Sequence, residues 1–208
     1  GDGEQDLYVG TMKEGQFLMG DSKGNFKVAD KMGIEGDTLV KSAISADFNN
    51  DNKKDLLLVR FDPTYKDTKR NNDIHYYENI GNNKYKRVQA VTHVNDMNFA
   101  MPAAVADYNK DGLLDVYIGY PGAQDFTFFE SMRNNTEGLS PQGLYFNQGN
   151  NKFGDVTASN LPKRDVYESC CSLFPHSAMA LDYDLNGDMD IVVIDDAGRL
   201  SPFYVNKG

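Results

Sequence analysis

The sequence predicts an all-β fold assembled from repeated antiparallel sheets, and three observations carry that reading. A nine-residue stretch occurs three times: Asp47-Phe48-Asn49-Asn50-Asp51-Asn52-Lys53-Lys54-Asp55, Asp107-Tyr108-Asn109-Lys110-Asp111-Gly112-Leu113-Leu114-Asp115 and Asp182-Tyr183-Asp184-Leu185-Asn186-Gly187-Asp188-Met189-Asp190. Each copy is preceded by a run of small residues (43–46, 103–106, 178–181) and followed at once by a short apolar run (56–59, 116–119, 191–194). Further on stands a second motif, Y-x-N-x-G, at Tyr77-Glu78-Asn79-Ile80-Gly81, Tyr145-Phe146-Asn147-Gln148-Gly149 and Tyr204-Val205-Asn206-Lys207-Gly208. Short runs rich in β-branched residues, bounded by turn formers, read as buried strands. Units of four antiparallel strands repeated along a chain read as the blades of a β-propeller, arranged radially so that few edges are exposed.

Taken in order, residues 1–30 read as a blade remnant. Asp2 aligns with Asp111 and Asp6 with Asp115, so the remnant holds the second half of a loop and the strand after it. Two more strands, at 17–19 and 25–28, flank a turn at 21–24. The first complete blade is 42–90, with strands near 43–47, 55–61, 74–79 and 84–89. The second is 101–157, and a third, incomplete, is 177–208. The loops are 60 and 75 residues apart, more than a minimal blade needs, so insertions are expected. These are 62–73, 121–142 with Phe126, Phe128, Phe129 and Met132, and 161–176 with Cys170 and Cys171.

The nine-residue stretch places oxygen-bearing side chains at positions 1, 3, 5 and 9. A chain curling round a hard cation presents alternate side chains inward, and Ca²⁺ takes six to eight oxygens from carboxylates, amides and main-chain carbonyls. The side-chain ligands expected are therefore Asp47, Asn49, Asp51 and Asp55; Asp107, Asn109, Asp111 and Asp115; and Asp182, Asp184, Asn186 and Asp190. Lys53, Leu113 and Asp188, at position 7, are expected to contribute main-chain carbonyls. Asp55, Asp115 and Asp190 are the expected bidentate ligands. Three carboxylates crowded in one loop repel one another without a cation. A fourth, incomplete loop is expected at Asp2 and Asp6. An EF-hand is excluded, because it needs a Glu at position 12 and flanking helices, and position 12 here is Leu58, Ile118 or Val193. The competing reading is an Asx-rich hairpin turn without metal. Three copies in the same strand context favour the cation.

Composition narrows the function. The 208 residues are 40% hydrophobic, with 12 Tyr, 12 Phe and no Trp, enough for a sizeable core. Net charge is −10, but nine of the 31 acidic residues are loop ligands, and bound divalent ions offset much of that. Acidity argues against a nucleic-acid partner, which calls for a basic stripe. No apolar run approaches the roughly 20 residues of a membrane-spanning helix, and no signal-peptide pattern is visible. The adjacent pair Cys170 and Cys171 is not a disulfide framework; two reduced thiols or a strained ring both remain open. His75, His93 and His176 follow no ligand spacing. A Cys/His pair or soft-metal site at His176 and the two cysteines weighs less than a plain loop histidine. No G-x-S-x-G elbow is present, and cation loops saturated by protein oxygens leave no open position for metal catalysis. No catalytic residue is therefore assigned. Asn134-Asn135-Thr136 is an N-glycosylation acceptor by pattern.

The loop motif D-x-[DN]-x-D-G-x-x-D-[LIV], with a small-residue strand before it and Y-x-N-x-G after it, resembles the FG-GAP/VCBS repeats. These form the β-propellers of integrin α-subunits and of many secreted bacterial proteins, and the likeness is nearer the bacterial VCBS type. The departures are Asn52 where Gly is usual, and Asn186 where Asp is usual, with Asp184 restoring the charge. The resemblance implies a Ca²⁺ loop between the first and second strands of each blade. It implies about seven blades in all, of which this chain would be about three and a half. It also implies an extracellular, cell-surface or periplasmic setting. There the protein would be a non-catalytic binding or adhesion scaffold, meeting a protein or carbohydrate ligand through its insertions, above all 121–142. The alternative is an accessory propeller of a carbohydrate-active or other secreted hydrolase whose catalytic residues lie outside this segment.

Overall fold

The computed structural model describes residues 3–11, 13–29, 32–34, 37, 39–60, 74–88, 102–120, 142–161, 175–195 and 201–208. The insertion residues Phe126, Phe128, Phe129, Met132, Cys170 and Cys171 lie outside them, as do Asp2, His93 and the acceptor Asn134.

Four antiparallel sheets follow one another along the chain. The first holds β1 (Leu7–Val9), β2 (Gln16–Gly20) and β3 (Phe26–Val28). The second holds β4 (Val40–Ala46), β5 (Asp55–Arg60), β6 (Ile74–Gly81) and β7 (Lys84–Val88). The third holds β8 (Ala103–Ala106), β9 (Asp115–Gly119), β10 (Gln142–Asn147) and β11 (Phe153–Asp155). The fourth holds β12 (Pro175–Leu181), β13 (Asp190–Asp195) and β14 (Phe203–Tyr204). Each sheet pairs strands in sequence order, as short hairpin connections favour. The four-stranded units appear where the repeats place them. The first sheet has no strand before β1 and the fourth none after β14 among the described residues. β4 begins three residues before the expected 43, and β12 two residues before the expected 177. A helical turn not read from the sequence, α1 (Thr157–Asn160), follows β11.

The register explains why the repeats look alike. Ala43 faces Leu58, Ala103 faces Ile118 and Ala178 faces Val193, each partner lying three residues beyond the loop's last Asp. β5 and β9 are buried along nearly their whole length, which is why they read as continuous apolar runs rather than alternating ones. The first two Y-x-N-x-G motifs lead into hairpins. Asn82 and Asn83, and Asn150 and Asn151, all have φ between 52° and 58°, the doubly left-handed geometry of a two-residue type I′ turn.

The apolar faces meet in layers between consecutive sheets. Met32, Ile34, Leu56, Leu58 and Tyr77 form one cluster, with Tyr8 and Phe17 of the first sheet packed on it. Phe48, Leu57, Val59, Tyr76, Val116, Ile118, Tyr145 and Phe153 join the second sheet to the third. Ala104, Tyr108, Tyr117, Leu144, Ile191 and Val193 join the third to the fourth. The aromatic at loop position 2 is an anchor of these layers. Phe48 packs edge-on against Tyr76 and Phe153, with ring centroids 5.8 and 6.0 Å away, a geometry that adds to simple area burial. Among the described residues, no helix is long and apolar enough to cross a membrane.

Candidate metal centres

The three loops share one hydrogen-bond framework. The position 1 carboxylate takes the N–H of position 5 on Oδ1 at 3.1 Å in every loop: Asp51 to Asp47, Asp111 to Asp107 and Asn186 to Asp182. Its Oδ2 takes the N–H of position 6, Asn52, Gly112 or Gly187, at 2.8–2.9 Å. The position 3 side-chain oxygen, on Asn49, Asn109 or Asp184, accepts from the position 5 N–H at 3.0–3.2 Å. Position 5 accepts from the N–H of position 7 at 2.6–2.9 Å. To close so tightly, the backbone turns left-handed twice. Position 4 has φ near 60° (Asn50 58°, Lys110 60°, Leu185 60°), and position 6 has 64° at Asn52 and 86° at Gly112 and Gly187. Asn52 thus does what the expected Gly would do, as Asn tolerates this region. The turn at position 4 was not visible in the sequence, because Lys and Leu give no sign of it.

Asp55, Asp115 and Asp190 close the loops and are fully buried. Each has its Oδ2 bonded by the N–H of position 2: Phe48 at 3.3 Å, Tyr108 at 2.9 Å and Tyr183 at 2.9 Å. Each has its Oδ1 bonded by the N–H of the motif Asn: Asn79, Asn147 and Asn206, all at 2.8 Å. Asp6 of the first sheet keeps the equivalent bond, from Gly20 N–H at 3.0 Å. Among the described residues no Lys or Arg forms an ion pair with any of Asp55, Asp115 or Asp190. Burial pushes the Asp115 carboxyl up to about 6 against the pull of its two N–H donors, and Asp111 and Asp107 push it the same way. Burial likewise raises Asp55. A buried carboxylate with no cationic partner is costly, and an all-oxygen donor set of carboxylates and amides is what a hard divalent ion fits.

The loops differ in readiness. In the third, carboxylate oxygens of Asp182, Asp184 and Asp190 all lie within 4.8 Å of one another, the single such grouping among the described residues. In the first, Lys53 Nζ sits 2.7 Å from Asp51 Oδ2, and that contact holds the Asp51 carboxyl below the ordinary carboxylate range. In the second, Asn109 Nδ2 donates to Asp111 Oδ2 at 2.9 Å. The Asp188 side chain at position 7 is itself engaged, 2.5 Å from Lys110 Nζ.

Two polar features lie apart from the loops. A cavity of about 230 Å³ opens where β4, β8 and β12 converge, lined by Lys41, Ser42, Pro102, Ala103, His176, Ser177 and Ala178. The second is a buried network between the first two sheets. His75 Nδ1 lies 2.5 Å from Asp37 Oδ1, Arg87 Nη2 lies 2.7 Å from His75 Nε2, and the Tyr77 hydroxyl donates to Asp37 Oδ2 at 2.6 Å. Burial lowers the His75 pKa; Asp37 opposes this, and Arg87 and Arg60 reinforce it. The imidazole is therefore neutral at pH 7, donating from Nδ1 and accepting at Nε2, while Arg87 and Arg60 supply the positive charge. Asp37 was not singled out in the sequence, because it belongs to no repeat.

These loops and sheets define an all-β repeat protein. A family model described as an FG-GAP-like repeat matches residues 1–58, spanning the first sheet, β4, the first loop and the start of β5. That match is consistent with the FG-GAP/VCBS type of repeat. No curated protein matches the chain.

Proposed function

We propose that the chain is a segment of a Ca²⁺-stabilised β-propeller that serves as an extracellular binding or adhesion scaffold rather than as an enzyme. The observation that supports this most directly is the set of three fully buried loop-closing carboxylates with no Lys or Arg ion pair among the described residues. When bound, Ca²⁺ would be held by the side chains at positions 1, 3, 5 and 9, and would neutralise the charge that the fold buries. The face-to-face layering of consecutive sheets supports the radial arrangement. The apolar side chains left open on the first and fourth sheets, Phe26, Val28, Met179 and Phe203, suit the packing of further blades. Ca²⁺ loops of extracellular modules bind with Kd on the order of 10⁻⁴–10⁻³ M, which favours a calcium-rich compartment.

Native mass spectrometry of the chain at millimolar calcium tests this reading, with three ions expected and two after Asp115→Ala. Chelation should lower the melting temperature. At tenfold excess over Kd each site contributes about 1.4 kcal/mol by mass action. Finding no bound ion would end it. A screen for glycan binding against glycan cleavage separates the scaffold from the accessory module of a hydrolase.

A further inference from the structure

The asparagine of the Y-x-N-x-G motif does more than turn the chain. In the third sheet, Asn147 uses its N–H and both ends of its side-chain amide. Its N–H bonds Asp115 Oδ1 at 2.8 Å, and its Oδ1 accepts from Gly149 N–H at 3.0 Å. Its Nδ2 donates to Leu114 O of its own loop at 3.2 Å and to Phe48 O, in the loop of the preceding sheet, at 2.7 Å. Asn206 repeats the pattern one sheet on. Its N–H bonds Asp190, its Oδ1 accepts from Gly208 N–H, and its Nδ2 donates to Met189 O and, at 2.9 Å, to Tyr108 O of the preceding loop.

An unbroken chain of hydrogen bonds results. Phe48 N–H bonds Asp55, while its carbonyl takes Asn147 Nδ2. Asn147 and Tyr108 N–H groups together bond both oxygens of Asp115. Tyr108 O takes Asn206 Nδ2, and Asn206 N–H bonds Asp190. Every loop-closing carboxylate is a link in this chain. Two shorter ties run beside it: Asn50 Nδ2 to Gly112 O at 3.2 Å and Lys110 Nζ to Asp188. Asn147 is only 3% exposed, so water cannot easily replace its bonds, and an unmade bond there carries its full desolvation cost.

We propose that Asn147 and Asn206 are positioning residues shared between neighbouring cation loops, so that an ion in one loop raises the affinity of the next. The proposal rests on the calcium reading above. A cation fixes the position 9 carboxylate; that carboxylate holds the N–H of the Asn; the Asn amide then sets the carbonyl, and so the backbone, of the preceding loop. The second ion finds part of its loop already ordered, which is positive coupling without a change of fold.

The test uses the 208-residue chain carrying Asp47→Ala, which leaves the second and third loops, and calcium chloride as the probe. Native mass spectrometry gives the populations with zero, one and two ions across a titration. The product of the zero-ion and two-ion populations over the square of the one-ion population, which scales with the coupling factor, is expected to exceed that of independent sites by about fivefold or more. Adding Asn206→Ala should return the populations to those of independent sites while circular dichroism stays that of the parent. If the alanine form does not fold, Asn206→Ser serves: its hydroxyl accepts from Gly208 N–H but is too short to reach Tyr108 O. Independent binding in the Asn206 protein, or coupling that survives its replacement, overturns the proposal. Absence of any ion on the unsubstituted chain ends the calcium reading itself, a different result.

Discussion

Asp115 sits at the point where burial, hydrogen bonding and charge meet. Its carboxyl is raised to about 6 by desolvation, above the ordinary 3.8. Without a cation, keeping it ionised at pH 7 therefore costs stability, and protonation relieves that cost as pH falls through 6. A cation reverses the sign, because it binds only the ionised form. The thermal shift produced by calcium is thus expected to shrink between pH 7 and pH 5, as read by melting curves with and without chelator. A calcium effect of constant size over that range would contradict this role for Asp115. Lys53 offers a second residue-level test. It occupies Asp51 Oδ2 in the first loop, so Lys53→Met should raise that loop's calcium affinity by severalfold, measured by calorimetry. The loops themselves were legible in the sequence because Asp and Asn recur at alternate positions in each copy. The bond from Asn147 across to Phe48 was not, since that partner belongs to another repeat. The sequence reading of Asn147 stopped at turn formation.

Among the elements, the loops carry a backbone cost that the strands do not. Leu185 holds φ 60° and is 86% exposed, so nothing it packs against compensates for the left-handed turn. Leu185→Gly should stabilise the protein by about 0.5–1 kcal/mol in urea unfolding, with calcium stoichiometry unchanged, because the relief of left-handed strain exceeds the added chain entropy. The strands were read correctly in place and type, since apolar runs between turn formers leave little choice. α1 was missed because a single turn of four residues has no period to detect. Position 2 of each loop was read only as an aromatic. The fold makes it the hinge between chemistry and packing: Phe48 and Tyr108 are buried between sheets, whereas Tyr183, with no sheet over it among the described residues, is 65% exposed and packs edge-to-face with Phe203 instead.

For the molecule as a whole, cohesion rests on layers between sheets rather than on one central core. The seam between the first two sheets adds the polar network of Asp37, His75, Arg87, Arg60 and Tyr77. His75 has a folded pKa below its ordinary 6.5. Its contribution is therefore complete above that value and lost as pH falls through the depressed one. Burial would raise Asp37, but the hydrogen bonds from His75 and Tyr77 and the nearby Arg60 charge outweigh it and leave a net lowering, so acid weakens this partner too. His75→Phe should cost about 2–4 kcal/mol at pH 7, and the gap between variant and parent should narrow on acidification. A gap that widens would place the charge elsewhere. The sheet order was legible from the repeats, but this seam was not, because Asp37, His75, Arg60 and Arg87 belong to neither repeated motif.

The ties between neighbouring loops give the stack a preferred way to come apart. Along the loop side, Asn50 to Gly112 and Asn147 to Phe48 lash the second sheet to the third, and Lys110 to Asp188 and Asn206 to Tyr108 lash the third to the fourth. A pulling force spread evenly over a seam meets that stitched margin as a spine. Separation would then begin at the opposite margin, where β4, β8 and β12 start around a cavity, and swing open like pages held at the binding.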